Sequence, residues 1–306
     1  MRNRNIFDDL KKFFFSRNML SRLILINVIV FILAYISYLY YYLLKITPDI
    51  SICGSSISKF IYWLAVPADT GALLIKPWTV FTYMFLHENF LHILFNMIML
   101  YFSGTLFIQY LGGKKLLCTY IIGGLAGALF YIIAFNFFPV FSEIKNCSIA
   151  LGASASVIAV LVAIAFHIPD FIVNLFMVFR VKLKYIALAL IIIDLFSIPK
   201  ENPGGHLAHL GGAFWGFNYI MSLKKNNDLY SIFNPIRKFF KNLFRPKPKL
   251  RVEYKKAKPV TDDEYNRLRA EKQKKMDAIL DKISKNGYDS LSREEKEFLF
   301  SSGNKK

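Results

Sequence analysis

Six apolar runs dominate the chain, at 22–44, 92–110, 116–138, 149–168, 181–199 and 205–222. A hydrocarbon layer of roughly 30 Å takes about 20 helical residues to cross, and in lipid the backbone must bond within its own segment. Runs of this kind therefore predict helices. The first, LILINVIVFILAYISYLYYYLL, has no polar face of any width, which argues against a water-soluble helix bundle. The 30 Phe and 17 Tyr among 306 residues agree. The expected fold class is an all-α membrane protein, a six-transmembrane-helix bundle with a small cytosolic C-terminal helical extension. No small-residue cleavage motif follows the first run, which is expected to stay as an anchor.

Charge placement gives an orientation. Residues 1–22 carry six Lys or Arg against two Asp, and the connections at 111–115 and 169–184 add five basic residues against Asp170. From residue 223 onward there are 23 basic and 12 acidic residues, whereas the opposite connections, including 45–91, hold five of each. The positive-inside rule puts both termini in the cytoplasm, as an even number of spans requires. The expected localisation is a multi-pass protein of the plasma (inner) membrane. The net charge of +18 lies where anionic lipid attracts it, so membrane lipids are the expected partner and nucleic acid is not.

The organisation divides into an interfacial segment at 1–21, the six-span domain at 22–222, a basic proline-broken linker at 223–260 and a helical hairpin at 261–306. The 45–91 connection is too apolar for a free loop and is expected to fold against the outer leaflet, partly embedded. In the tail, Thr261 with Glu264 predicts a capping box for a helix over 262–286, with Gly287 as its C-cap. Ser292 with Glu295 opens a second short helix. Neither helix offers His or Cys for chemistry. The three cysteines have no metal-ligand spacing; Cys53 and Cys147 fall on the same side and either pair or stay as thiols.

Strongly polar groups inside spans are costly and each needs a reason. Three clusters fall near the same membrane face: His87, His92 and Asn96 at the second span, Gly152 to Ser156 at the fourth, and His206, His209, Gly211, Gly212 and Gly216 at the sixth. His92 and Asn96, four apart, share a helical face. A serine, histidines and an amide at one depth suit acyl transfer. An isolated serine in such a helix is usually a packing residue, so it is the convergence that matters. Zinc on His87, His92 and His209 lacks a base other than Glu88, and no metal or other cofactor is expected. Proton transport is disfavoured because Asp194 is the one carboxylate clearly within a span and no inverted repeat is evident. Gly212 and Gly216 form GxxxG, which admits another helix closely. His209 shares their face and is the positioned histidine, with His206 at the rim. Ser154 and Ser156 stay tied, because the register of the fourth helix is open.

His87-x₄-His92-x₃-Asn96, Gly152-Ala153-Ser154 and Ala208-His209-Leu210-Gly211-Gly212 together resemble the rhomboid family of intramembrane serine proteases, in order, span number and membrane side. The resemblance covers roughly 60–222. It implies Ser154 as nucleophile and His209 as base, a Ser–His dyad with no carboxylate. It implies an oxyanion hole of His92, Asn96 and the Ser154 backbone N–H, with His87 holding the hole in shape. Departures fall beside the site. Ala155 stands where the family has Gly, Ile158 where an aromatic ring packs on the histidine, and Trp78-Thr79 where the family has Trp-Arg. Bulk contacts are then expected to place His209.

The resemblance implies an endopeptidase that cuts transmembrane segments of single-span membrane proteins near the extracytoplasmic side. The alternative is a non-proteolytic binder of transmembrane segments, which needs no Ser154.

Overall fold

The structure, a computed structural model, describes residues 18–46, 49–52, 55–175, 179–200, 202–227 and 261–303. Each of the six apolar runs contains a helix. The first is α1 (Met19–Leu43), where the Asn18 side chain accepts from the Ser21 N–H at 2.7 Å. Short elements follow: the strands β1 (Asp49–Ile52) and β2 (Ser55–Ser58), the helix α2 (Lys59–Leu64), the strand β3 (Val66–Pro67), and the helices α3 (Thr70–Ile75) and α4 (Thr79–Thr82). Two long helices come next, α5 (Phe90–Leu111) and α6 (Gly113–Phe137). The strand β4 (Ile149–Ala150) precedes α7 (Ser154–His167); the strands β5 (Ile172–Leu175) and β6 (Phe179–Lys182) precede α8 (Leu183–Ser197) and α9 (Pro203–Lys224).

The helices α1, α5 and α6 are long and apolar enough to cross a membrane. Their outward faces carry half-exposed large apolar chains, among them Ile29, Leu33, Phe95, Ile98, Leu129 and Ile133. Contiguous apolar surface on this scale suits lipid and not water.

The described residues are mostly helical, in keeping with the all-α expectation, and three short antiparallel strand pairs join the helices: β1 with β2, β3 with β4, and β5 with β6. The second pair matters most. Val66 pairs with Ala150 and Pro67 with Ile149, so the long 45–91 connection is stitched to the chain just ahead of Ser154. The fourth run therefore enters its helix five residues later than its apolar pattern suggests. Ile149 and Ala150 are in a strand, and Gly152 has a φ of +134° that a helix cannot contain. Further links tie this connection down: Lys76 Nζ donates to the Tyr62 carbonyl at 2.6 Å, and Trp78 Nε1 to that of Trp63 at 2.9 Å. Thr79, in the place of the family's Arg, is buried and donates to the Lys76 carbonyl at 2.7 Å. Cys147 is disulfide-bonded; Cys53 lies outside the described residues, as do the 1–17 segment and most of the basic linker.

The helix α7 is the axis of the packing, with Ala155, Ser156, Val157 and everything from Ala159 to Ala165 buried. Small residues make this possible on two sides. On α6, a Cβ added to Gly123 would collide with Ala159, and one added to Gly127 would lie 2.6 Å from the Ala155 Cβ. On α9, a Cβ on Gly212 or Gly216 would collide with the carbonyl oxygen of Ala155 or Ala159. Two glycine pairs, each four residues apart, thus clasp an Ala-xxx-Ala pair between them. Dispersion contacts at such close range hold helices together where lipid removes the hydrophobic drive. With 14 residues, α7 rises only about 21 Å at 1.5 Å per residue.

The described residues 261–303 belong to a second compact unit. It holds α10 (Asp262–Asn286), ended by Gly287 at φ +77°, and α11 (Arg293–Gly303). The expected capping box at Thr261 does not form, since no hydrogen bond from its side chain caps α10. Asp262, Asp263 and Glu264 in the first turn complement the helix dipole instead. The box at Ser292 does form: the Ser292 N–H donates to Glu295 Oε2 at 2.7 Å and the Glu295 N–H to Ser292 Oγ at 3.3 Å. Lys282 on α10 also donates to Glu295, at 2.8 Å. These donors, Lys282 foremost, hold the Glu295 carboxyl below its ordinary value of 4.5.

Two outcomes follow. Gly212→Val should lower stability by about 3 kcal/mol or more, because the clash is with backbone that cannot swing away; thermal unfolding in detergent reads it, and an unchanged melting curve contradicts the clasp. Glu295 stabilises the hairpin while ionised, an effect present above the ordinary carboxyl range and lost as pH falls through its depressed folded value. The protection factors of α11 amides in the intact chain, exchange rates corrected for the intrinsic pH dependence, should fall on acidification in the native protein and be insensitive to that step in Glu295→Gln.

Candidate active site

Ser154 is the first residue of α7, and the turn that delivers it is defined by its neighbours. The Gly152 N–H donates to the Tyr83 carbonyl at 3.0 Å, and the Tyr83 hydroxyl in turn donates to the Gly124 carbonyl on α6. A Cβ on Gly152 would come within 3.0 Å of His92 Nε2, so a side chain there would push into the ring. The unpaired N–H groups of the first turn of α7 gather beside the Ser154 hydroxyl, where the helix dipole favours negative charge.

The two serines separate at once in three dimensions. Ser156 is fully buried, turned toward Gly124 on α6, and its Oγ has no hydrogen-bond partner among the described residues. Ser154 Oγ lies 2.7 Å from His209 Nε2. His209 stands on α9 one turn before Gly212, and the close approach of α9 to α7 at Gly212 brings ring and hydroxyl into contact. The start of α9 is set by Asn202, left-handed at φ +53°, whose side chain accepts from the Gly205 N–H at 3.1 Å, with Pro203 at the first helical position.

The far side of His209 departs from expectation. Instead of bulk contacts alone, a carboxylate meets it: Asp194 Oδ1 of α8 is 2.8 Å from His209 Nδ1. The same oxygen is 2.7 Å from Nδ1 of His206, which is therefore more than a rim residue. Asp194 is 7% exposed. The sequence offered a signal for it, a lone carboxylate in an apolar helix, but not its partner. The dyad expectation, with no carboxylate beside the pair, is corrected by this contact.

The second-span cluster is only partly assembled as expected. His92 lines the cavity in front of Ser154, and the ring of His87, 2% exposed, packs edge-on against it with centroids 5.2 Å apart. Asn96 is buried, and its Nδ2 donates to the His92 carbonyl at 2.9 Å, so one of its two amide protons serves its own helix. The cavity is about 560 Å³ and is also lined by Tyr83, Glu88, Gly152 and Asn202. Tyr83 was not singled out in the sequence, where nothing in its spacing marks it, and Glu88 was weighed only as a base beside zinc. Ala155, in place of the family's Gly, turns its Cβ toward Gly127 and completes the clasp, and Ile158 is half-buried on the core.

As for metals, His87, His92 and His209 do not converge as a ligand set. The atoms that do lie within 4.8 Å of one another belong to Asp194, His206 and His209. An ion there would take His209 Nδ1 and force the ring proton onto Nε2, the atom that faces Ser154. Metal binding and proton acceptance from Ser154 are thus mutually exclusive at this ring.

Comparison with known proteins gives two family matches and a relative. A family profile described as the Rhomboid domain matches residues 75–226, about half of the chain and all of the clusters above. A second, a family of unknown function (DUF6576), matches residues 260–301, the α10–α11 hairpin. The chain is similar to the RHOMBOID-like protein 12, mitochondrial, of Arabidopsis thaliana, at 32% identity over 146 residues, 44% of this chain and 43% of that one. It thus spans less than half the length of that relative.

Gly152→Ala should cut the rate of Ser154 modification by a fluorophosphonate at least about tenfold, a barrier rise of about 1.4 kcal/mol, with helix content by circular dichroism unchanged. Equal labelling would mean that the Gly152 turn does not set the hydroxyl's surroundings.

Proposed function

The chain belongs to the rhomboid family, and from that premise we propose that it is an intramembrane serine endopeptidase acting on single-span membrane proteins. The observation that carries this reading is the 2.7 Å contact between Ser154 Oγ and His209 Nε2 at the foot of a polar cavity in an otherwise apolar bundle. Few arrangements other than acyl transfer use a hydroxyl, a bare imidazole nitrogen and a helix N-terminus within one such cavity.

In this reading His209 Nε2 takes the Ser154 proton as Oγ bonds to the substrate's peptide carbonyl carbon. The negative charge that develops on the carbonyl oxygen meets the Ser154 N–H and the His92 ring, with the second amide proton of Asn96 within the same cluster. The C–N bond then breaks, and the proton on Nε2 leaves with the amine. Water attacks the acyl carbon, gives its proton to Nε2, and Ser154 recovers its own as the acid departs. The cavity admits that water into the membrane domain.

The shortness of α7 supports a site sunk below one face of the membrane. An intact substrate helix hides its carbonyls in its own hydrogen bonds, so the scissile segment must unwind, and small or helix-breaking residues there lower the barrier. The charge bias of the connections supports six crossings with both termini cytoplasmic and cleavage near the extracytoplasmic side. The α10–α11 hairpin then hangs on the cytoplasmic side. A non-proteolytic binder of transmembrane segments uses the same fold without needing the hydroxyl.

Cleavage of a single-span model substrate in detergent tests the reading. Ser154→Ala and His209→Ala should each lose at least about 10³-fold in rate, while Ser156→Ala stays within about threefold of the native protein if it folds. Undiminished cleavage by Ser154→Ala overturns the assignment of the nucleophile. No cleavage by the native chain, together with no fluorophosphonate labelling, replaces the protease reading with the binder.

A further inference from the structure

The established logic of a two-residue serine–histidine site leaves one requirement open: something must hold the ring and choose its tautomer. A neutral imidazole carries one proton, and it can accept from Ser154 only if that proton is on Nδ1. In this chain Ile158 stands where the family carries an aromatic ring, and the ring that lies edge-on to His209 is that of His206, with centroids 6.0 Å apart. Asp194 is positioned to supply both needs.

We propose that Asp194 is the third member of a Ser154–His209–Asp194 chain, a positioning carboxylate that fixes the His209 tautomer, and that His206 holds Asp194 in place through the same oxygen. The proposal rests on the protease reading for its consequence but on geometry for its content. An ionised carboxylate only accepts hydrogen bonds, so contacts of 2.8 Å and 2.7 Å from its Oδ1 require protons on Nδ1 of both His209 and His206. That leaves His209 Nε2 bare toward Ser154 Oγ, as base catalysis demands. When the Ser154 proton arrives, His209 becomes an imidazolium with its charge beside the carboxylate, in a region where the low dielectric strengthens the attraction. No proton passes to Asp194, and no further reactant is required.

His206 accounts for the placement of the carboxylate. The residues 206 and 209 are three apart on α9, one turn, so both rings reach the same point on α8. Asp194 sits late in α8, three residues from its end at Ser197, where nothing in that helix's own spacing anchors it. Two donors from two successive turns of α9 fix its oxygen better than one can, and they couple the α8–α9 packing to the geometry at Ser154.

The test combines kinetics with ring spectroscopy on the full chain in detergent. In Asp194→Asn the amide can donate to His209 Nδ1 and favour the proton on Nε2, so kcat should fall at least about 100-fold with KM within about threefold. His206→Gln should give a smaller loss, about tenfold. With histidine labelled in ¹⁵N, the native His209 ring above neutral pH should show a protonated Nδ1 and a bare Nε2, and Asp194→Asn should move proton population to Nε2. An Asp194→Asn enzyme within threefold of native kcat overturns the proposal. So does an unchanged His209 tautomer, including the case in which activity falls only in step with the melting temperature. The spectrum needs no turnover, so a native chain that cleaves nothing would refute the protease reading and still decide whether Asp194 sets the tautomer.

Discussion

The clasp around α7 is the contact on which the rest depends. Ala155 and Ala159 sit between Gly123 and Gly127 of α6 on one side and Gly212 and Gly216 of α9 on the other, with no room for a Cβ at any of the four glycines. In water a helix pair can be driven together by removing apolar area from solvent, but lipid is as apolar as leucine, and only close packing and polar contacts remain. Backbones that touch at fixed positions have no freedom to slide. The consequence at the site is direct: Gly212 against the Ala155 carbonyl fixes how far His209, three residues earlier on α9, stands from Ser154 at the head of α7. Ala155 belongs to this arrangement as a packing residue, its methyl accommodated by the glycine opposite.

A second layer of polar contacts aligns the loop side of the cavity with that clasp. The Tyr83 backbone carbonyl receives the Gly152 N–H while its hydroxyl reaches α6, and the Tyr120 hydroxyl donates to the Met84 carbonyl at 2.9 Å. The β3–β4 pair and these tyrosines make the connection before α5 part of the site's frame. Each link is buried and satisfied, which is the condition for polar groups to be tolerated at such depth. His92 shares the cavity with Ser154 because this frame places it across from Gly152, not because His92 and Ser154 are near in sequence.

Much of this was legible in the residues. Six apolar runs predicted six helices, and their ends fall within a few residues of the runs except at α7. Three polar clusters on one side predicted a single site, and Ser154 and His209 are in contact there. The GxxxG on α9 predicted a close helix neighbour. What was missed has common physical causes. Two-residue strand pairs such as Val66–Pro67 with Ile149–Ala150 are too short to leave a periodic pattern, so they were not legible beside the helices. The Thr261 box was predicted from residue types, but a cap needs a side-chain rotamer as well. Asp194 was visible as an anomaly, yet α8 and α9 are joined by a turn whose geometry decides which side chains face each other.

The sequence by itself determined what the chain can live in and which side chains had to be kept apart from lipid: apolar runs set the helices, charge bias sets the expected orientation, and a polar residue in such a run must find a partner. It also determined that two serines compete for one role, without separating them, because a helix register cannot be read in a stretch of Gly, Ala and Ser. Only the tertiary structure sets their surroundings apart, starting α7 at Ser154 beside His209 and turning Ser156 into the α6 interface. Only it brought Asp194 and His206 onto His209, since contacts between helices depend on crossing and rotation, which arise from packing between segments, as at the glycines of α6 and α9 against α7, and not from the spacing within any one of them.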